Sequence, residues 1–131
     1  MNRLLLSAFF GAFLTTTALA QEPNSLNGRW EATYQGESGG DNAAEIVISD
    51  TGGTWMHRAG RGKKRAKNDA CVDRAFPISI QTKSATEIAF NVNASTVLQG
   101  CPDLSVVAKS VDGKTLEGSF KSGASIKFIR Q

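Results

Sequence analysis

The stretch Arg58-Ala-Gly-Arg-Gly-Lys-Lys-Arg-Ala-Lys67 places six cations and two glycines within ten residues. Like charges at that density repel one another, and glycine lets the chain extend, so the segment reads as a loop able to wrap a polyanion. Arg58, Arg61, Lys63, Lys64, Arg65 and Lys67 are the candidate partner-binding residues. The bland alternative is a solvated connection between strands, but solubility alone does not require such concentration, whose self-repulsion works against folding. No aromatic residue interleaves with the cations, which argues against a dedicated nucleic-acid site built on base stacking. The whole chain carries a formal net charge of +3. Outside this run and the N-terminal leader, eight cations stand against 12 acids, so a mildly acidic body bears one concentrated positive loop.

Other residues capable of chemistry are sparse. Gly36-Glu37-Ser38-Gly39-Gly40 fits G-x-S-x-G and is similar to the segment around the nucleophile of chymotrypsin-like proteases. A serine nucleophile needs a base, an orienting carboxylate and an oxyanion hole. The single histidine, His57, follows Ser38 where those proteases place theirs before it, and no helix is predicted for a hydrolase elbow, so Ser38 is read as a turn residue. His57, beside Arg58 and near Arg61, is read as a packing or solvated histidine held neutral by its cationic neighbours. Glu45, Asp69, Asp73 and Glu87 are scattered, and the sequence does not set their separation, so an acid/base pair of the glycosidase kind stays an open but unsupported alternative. Gly60-Arg61-Gly62-Lys63 lacks the Ser/Thr and spacing of a phosphate-binding P-loop. Neither cysteine sits in a C-x-x-C motif, and metal binding there would need further ligands that the single histidine cannot supply. The expectation is a protein that is not an enzyme, with no cofactor and no metal.

Cys71 and Cys101 are the only cysteines, and they follow a segment with the form of a secretory signal: Arg3, the apolar run Leu4 to Leu14, and Ala18-Leu19-Ala20 before Gln21. The apolar run is too short for a membrane span, which needs about 20 residues. A mature chain from Gln21 to Gln131 in the periplasm or outside the cell is expected, where Cys71 and Cys101 form one disulfide. Closing that loop contributes about 3.7 kcal/mol on the chain-entropy estimate.

The elements that must position these residues are strands. Trp30, Ala32 and Tyr34 alternate with polar residues, as do Ala44, Ile46 and Ile48 within Ala44 to Ser49; Thr54 to Arg58 carries Trp55 and Met56. Phe76, Ile78 and Ile80 follow Cys71, then Ile88, Phe90 and Val92, then three further runs at Leu104 to Lys109, Thr115 to Phe120 and Ala124 to Arg130. Asp112-Gly113 predicts a two-residue hairpin with positive φ at both positions. Eight short strands with turns between them and no helical stripe predict an all-β fold, an antiparallel eight-stranded up-and-down barrel, with a two-sheet β-sandwich as the alternative. The expected organisation is a signal peptide over 1–20, a flexible lead-in over 21–27 and the barrel domain over 28–131.

Gly28-Arg29-Trp30 opening the first strand, with Arg130 closing the last, resembles the calycin superfamily of small up-and-down barrels, which includes lipocalins, avidins and some periplasmic protease inhibitors. The resemblance implies that Trp30 and Arg130 pair as a structural cation–π closure at the barrel base. The lipocalin T-D-Y motif is missing, and avidin's polar biotin contacts have no counterparts, so no ligand identity is carried over. Three functional expectations follow. The first is a non-enzymatic barrel binding an anionic envelope component or an acidic protein surface through the basic loop. The second is a barrel holding a small apolar ligand, with Trp30, Tyr34, Trp55, Phe90 and Phe128 lining or filling the interior. The third is an inhibitor of an envelope or foreign hydrolase.

Overall fold

Strands with one apolar and one polar face must bury the apolar face, and an open sheet of eight would expose two unpaired edges. In the computed structural model, which describes residues 25–36, 40–58 and 69–131, the sheet closes on itself. The strands are β1 (Gly28–Gln35), β2 (Asp41–Ser49), β3 (Gly52–Arg58), β4 (Ala75–Lys83), β5 (Glu87–Val92), β6 (Leu104–Ser110), β7 (Thr115–Phe120) and β8 (Ser125–Arg130). Each pairs antiparallel with the next, and β8 returns to β1 in a register that runs from Trp30↔Arg130 to Tyr34↔Ile126. The fold is an up-and-down barrel, which excludes the sandwich.

Inward-facing positions alternate along every strand and fill the interior. Trp30, Trp55, Phe76 and Phe128 have no exposed surface, and Phe90, Ile46, Val106 and Leu116 are buried with them. An eight-stranded barrel is just wide enough for side chains to fill, and each buried large apolar side chain contributes roughly 1.5–3 kcal/mol. The aromatic rings meet edge-on or tilted: Trp55 lies 6.3 Å from Phe90, and Phe90 6.4 Å from Phe128.

One end of the barrel is sealed by side chain and backbone together. The Arg130 guanidinium lies 4.2 Å from the centre of the Trp30 ring. It donates to the carbonyls of Ser25 (2.6 Å), Asn27 (2.9 Å) and Gly113 (3.2 Å), while the Trp30 indole N–H donates to the Leu26 carbonyl at 2.9 Å. Ser25 to Asn27, expected to belong to a flexible lead-in, is therefore held in place. Leu26 is buried in the base, and the Asn27 side chain bonds both Asp50 (2.6 Å) and Lys83 (2.7 Å). The remainder of the lead-in and the leader lie outside the described residues.

Turn chemistry departs from the sequence expectation at Asp112-Gly113. A two-residue turn stands at Asp50-Thr51, between paired Ser49 and Gly52. Neither turn residue has positive φ; Gly52 (φ 154°) and Gly53 (φ 151°) take up the twist instead, and a Cβ at Gly53 would collide with the Val47 carbonyl. At Asp112-Gly113 only Gly113 has positive φ (78°). The connection is longer because the Asp112 carboxylate accepts from the N–H groups of Lys114 (2.9 Å) and Thr115 (2.8 Å), while Val111 N–H closes on the Thr115 carbonyl at 2.9 Å. A side-chain oxygen thus does what a second positive-φ residue was expected to do.

Arg130→Ala is expected to lower stability by about 2–4 kcal/mol, since it removes the ring contact and three hydrogen bonds from a charged donor. Arg130→Lys should restore only part of this, because an ammonium lacks the planar fork. Urea unfolding midpoints of the three proteins measure it, and a loss under about 1 kcal/mol in the alanine variant would remove Arg130 from the closure.

Candidate functional site at the barrel mouth

Strands that alternate up and down send every second connection to the same end. The links β1–β2, β3–β4, β5–β6 and β7–β8 therefore all lie at the mouth, opposite the base sealed by Arg130. The basic run leaves β3 at this end. Arg61, Lys63, Lys64, Arg65 and Lys67 lie outside the described residues, as does Ser38.

What the structure describes is how the run is held at each side. Arg58, grouped with the partner-binding cations by sequence, is paired with two acids: the Glu45 carboxylate across β2–β3, and Asp73 at 3.2 Å on the far side of the run. These hydrogen bonds, Glu45's first, raise the arginine's pKa, and the bond to Arg58 is the main reason that Glu45 stays ionised below its usual range. Arg29, 2.7 Å from the other Glu45 oxygen, completes the row. Arg58 is an anchor at the start of the run.

The C-terminal side is pinned by backbone and sulfur. Asp73 N–H donates to the His57 carbonyl at 2.8 Å, Val72 bridges His57 in parallel, and Cys71 is joined to Cys101 with Cα atoms 5.7 Å apart. Asp73 adopts φ 58° to make this return. Asp69 accepts from the Cys71 N–H at 2.9 Å. Cys101 is buried in the β5–β6 connection, where Asp103 holds Ser95 through both its N–H and its hydroxyl at 2.8 Å.

Beneath these anchors sits a polar pair in an aromatic frame. Tyr34, at the end of β1, and His57, at the end of β3, both face inward, and the Tyr34 hydroxyl lies 3.0 Å from His57 Nδ1. The Trp55 indole N–H donates to the same nitrogen at 3.3 Å. An indole nitrogen can only donate, so Nδ1 accepts and the proton of the neutral ring resides on Nε2. Burial pushes the Tyr34 phenol up to about 12, which keeps it a donor. Burial also lowers the His57 pKa below its ordinary 6.5, with the Asp69 carboxylate pulling the other way. The neutral histidine expected from sequence is present, for a different reason: its arginine neighbour is turned toward Glu45 and Asp73, and lost hydration decides the matter. The Tyr34–His57 pairing escaped sequence reading. The only signal for it was parity, since the last inward residues of β1 and β3 must share one end of an up-and-down barrel.

Of the two roles expected for these side chains, lining or filling, the interior shows filling: Trp30, Trp55, Phe90 and Phe128 pack there with Tyr34 half-buried above them. Two open clefts, of about 620 and 650 Å3, lie on the outer wall. The first runs over β1 and β2 beside Arg29, Glu31, Glu45 and Arg58, and the second over β1, β7 and β8 beside Gln35, Glu117 and Lys127. Both mix charges of either sign. Among the described residues, no group of three His, Cys, Asp or Glu side chains could hold a metal ion, and no helix is long and apolar enough to cross a membrane.

No family model and no curated protein matches this chain. Among solved structures the chain is similar to a redesigned beta barrel, with a TM-score of 0.50 and 13% identity over 81% of this chain and 91% of that one. At that identity the likeness is one of fold alone.

The unfolded chain takes up a proton on its histidine near pH 6.5, whereas the folded ring resists protonation to lower pH. Stability from this site is therefore complete above pH 6.5 and falls as pH drops below it. His57→Phe, which keeps an aromatic ring in place, should abolish that limb. The lowered carboxyls of Glu45, Asp50, Asp103 and Asp112 are common to both proteins and cancel in the difference. Urea midpoints of wild type and variant between about pH 5.5 and about pH 7.5 should converge toward the acid end, and parallel curves would contradict the assignment.

Proposed function

We propose that this is a non-enzymatic, calycin-like binding protein of the periplasm or extracellular space, presenting Arg61, Lys63, Lys64, Arg65 and Lys67 to an anionic envelope component or an acidic protein surface. The observation that carries the reading is the double anchoring of the basic run. Arg58 is tied to Glu45 and Asp73 at one side, and Cys71 is tied to Cys101 at the other, on the rim of a closed barrel. Anchoring both ends of a short segment bounds the reach of the chain between them, which supports reading its charges as one concentrated potential. Arg58 is neutralised by its partners and contributes to position; the five cations after it supply attraction. The disulfide accords with an oxidising compartment.

The chemistry at the mouth supports binding over catalysis. The single histidine is held neutral within an apolar cluster, its partners are a phenol and an indole, and among the described residues no carboxylate hydrogen-bonds to it. Selectivity for a polyanion then follows from charge and from the rigid rim, with an affinity that depends steeply on salt.

Heparin, lipopolysaccharide and anionic liposomes, titrated across a salt series, test this with wild type and the variant Lys63→Ser/Lys64→Ser/Arg65→Ser. The wild type should bind at least one of them with strong salt dependence. The variant should bind it more weakly, with a log–log salt slope smaller by about 2–3, near one released counterion per cation removed. Equal, weak binding by two equally folded proteins would overturn the reading.

A further inference from the structure

The proton on His57 Nε2 is unspent. Nδ1 is occupied by Tyr34 and Trp55, and Nε2 has no partner among the described residues. Among those residues no fully buried side-chain nitrogen or oxygen lacks a partner, so this N–H is not one sealed into the core. Its ring is gripped: the imidazole meets Trp55 edge-on at 5.7 Å and Phe76 at 6.4 Å, and its backbone is tied to the anchor of the basic run through Val72 and Asp73. Beside it, Tyr34 and Phe120 make a partly buried edge-to-face pair with centroids 5.0 Å apart. A fixed donor in an aromatic frame is suited to an acceptor that carries both charge and apolar surface, because hydrogen bonds to charged acceptors are the stronger ones and ring faces gain from apolar contact. The interior below is occupied by Trp55 and Phe90, so only a short or flat apolar group fits.

We infer that the barrel mouth is a binding site for an oxyanion borne on a short apolar group, with His57 Nε2–H donating to the oxyanion and Tyr34 and Phe120 receiving the apolar part. This rests on the anionic-partner reading, whose ligand class it narrows, but it stands on a different group from the basic run. Tyr34 is a positioning residue here: its hydroxyl holds Nδ1 as an acceptor and so keeps the proton on Nε2.

Because His57 is the only histidine, its imidazole nitrogens give an unambiguous NMR signal in the full mature protein. Octyl phosphate, below its micellar concentration, is the probe, and inorganic phosphate the control. The ring should be Nε2-protonated at neutral pH, its Nε2 resonance should move on adding octyl phosphate, and octyl phosphate should bind about tenfold or more tightly than inorganic phosphate. His57→Phe should weaken octyl phosphate binding by a similar factor, while the wild-type titration stands whether or not that variant folds. A ring protonated on Nδ1, an unmoved resonance, or equal affinity for the two phosphates overturns the inference. The outcomes separate the two readings. Loop-dependent heparin binding with an unmoved His57 signal removes the mouth site alone. A moved His57 signal, with heparin binding unchanged in the triple-serine variant, removes the loop alone.

Discussion

The pairing of β1 with β8 is the constraint on which the molecule depends. Those two strands stand at opposite ends of the chain, and their ladder from Trp30↔Arg130 to Tyr34↔Ile126 converts a sheet with two open edges into a cylinder with none. Once it forms, every strand has two partners, every inward side chain has a neighbour across the axis, and the interior can be packed with two tryptophans and several phenylalanines. The same ladder brings Arg130 beside Trp30. Closure of the backbone and closure of the base are therefore one event, with the guanidinium reading three carbonyls from two separate segments as it covers the indole.

The two ends of the cylinder are built to different ends. The base is finished by short turns and by the Ser25 to Asn27 strap, so its polar groups are consumed internally. The mouth carries the two longest connections, β3–β4 and β5–β6, and they are fastened by a disulfide, an ion-pair row and one parallel bridge. Such fastening leaves groups with capacity to spare. The His57 Nε2–H and the partly buried Tyr34 and Phe120 rings are features of the mouth that the packing of the barrel does not itself require.

Much of the fold was legible because strand periodicity is local. Trp30, Ala32 and Tyr34, or Ile88, Phe90 and Val92, declare their faces within five residues, and all eight strands were placed within a few positions of where they lie. Turns were less legible. Asp112-Gly113 has the composition of a two-residue hairpin, yet the Asp112 carboxylate captures two N–H groups and lengthens the connection, a competition between side chain and backbone that composition does not resolve. The candidate site was read in part. The charge run and the cysteine pair stand out in the sequence, whereas the Arg58 anchor depends on Glu45 lying on the neighbouring strand in the register Glu45↔Met56.

By itself the sequence determined the strand periods, the inward and outward sets, the two cysteines able to form a disulfide, and the density of charge between Arg58 and Lys67, because each of these is a property of neighbours along the chain. Tertiary structure alone decided which distant groups meet. Tyr34 and His57, 23 positions apart, share a hydrogen bond because closure and parity bring the ends of β1 and β3 to one mouth. Arg58 becomes an anchor because Glu45 and Asp73 converge on it, and His57 stays neutral because the packed interior strips water from its ring. Burial and long-range contact depend on register and closure, which no local pattern of residues encodes.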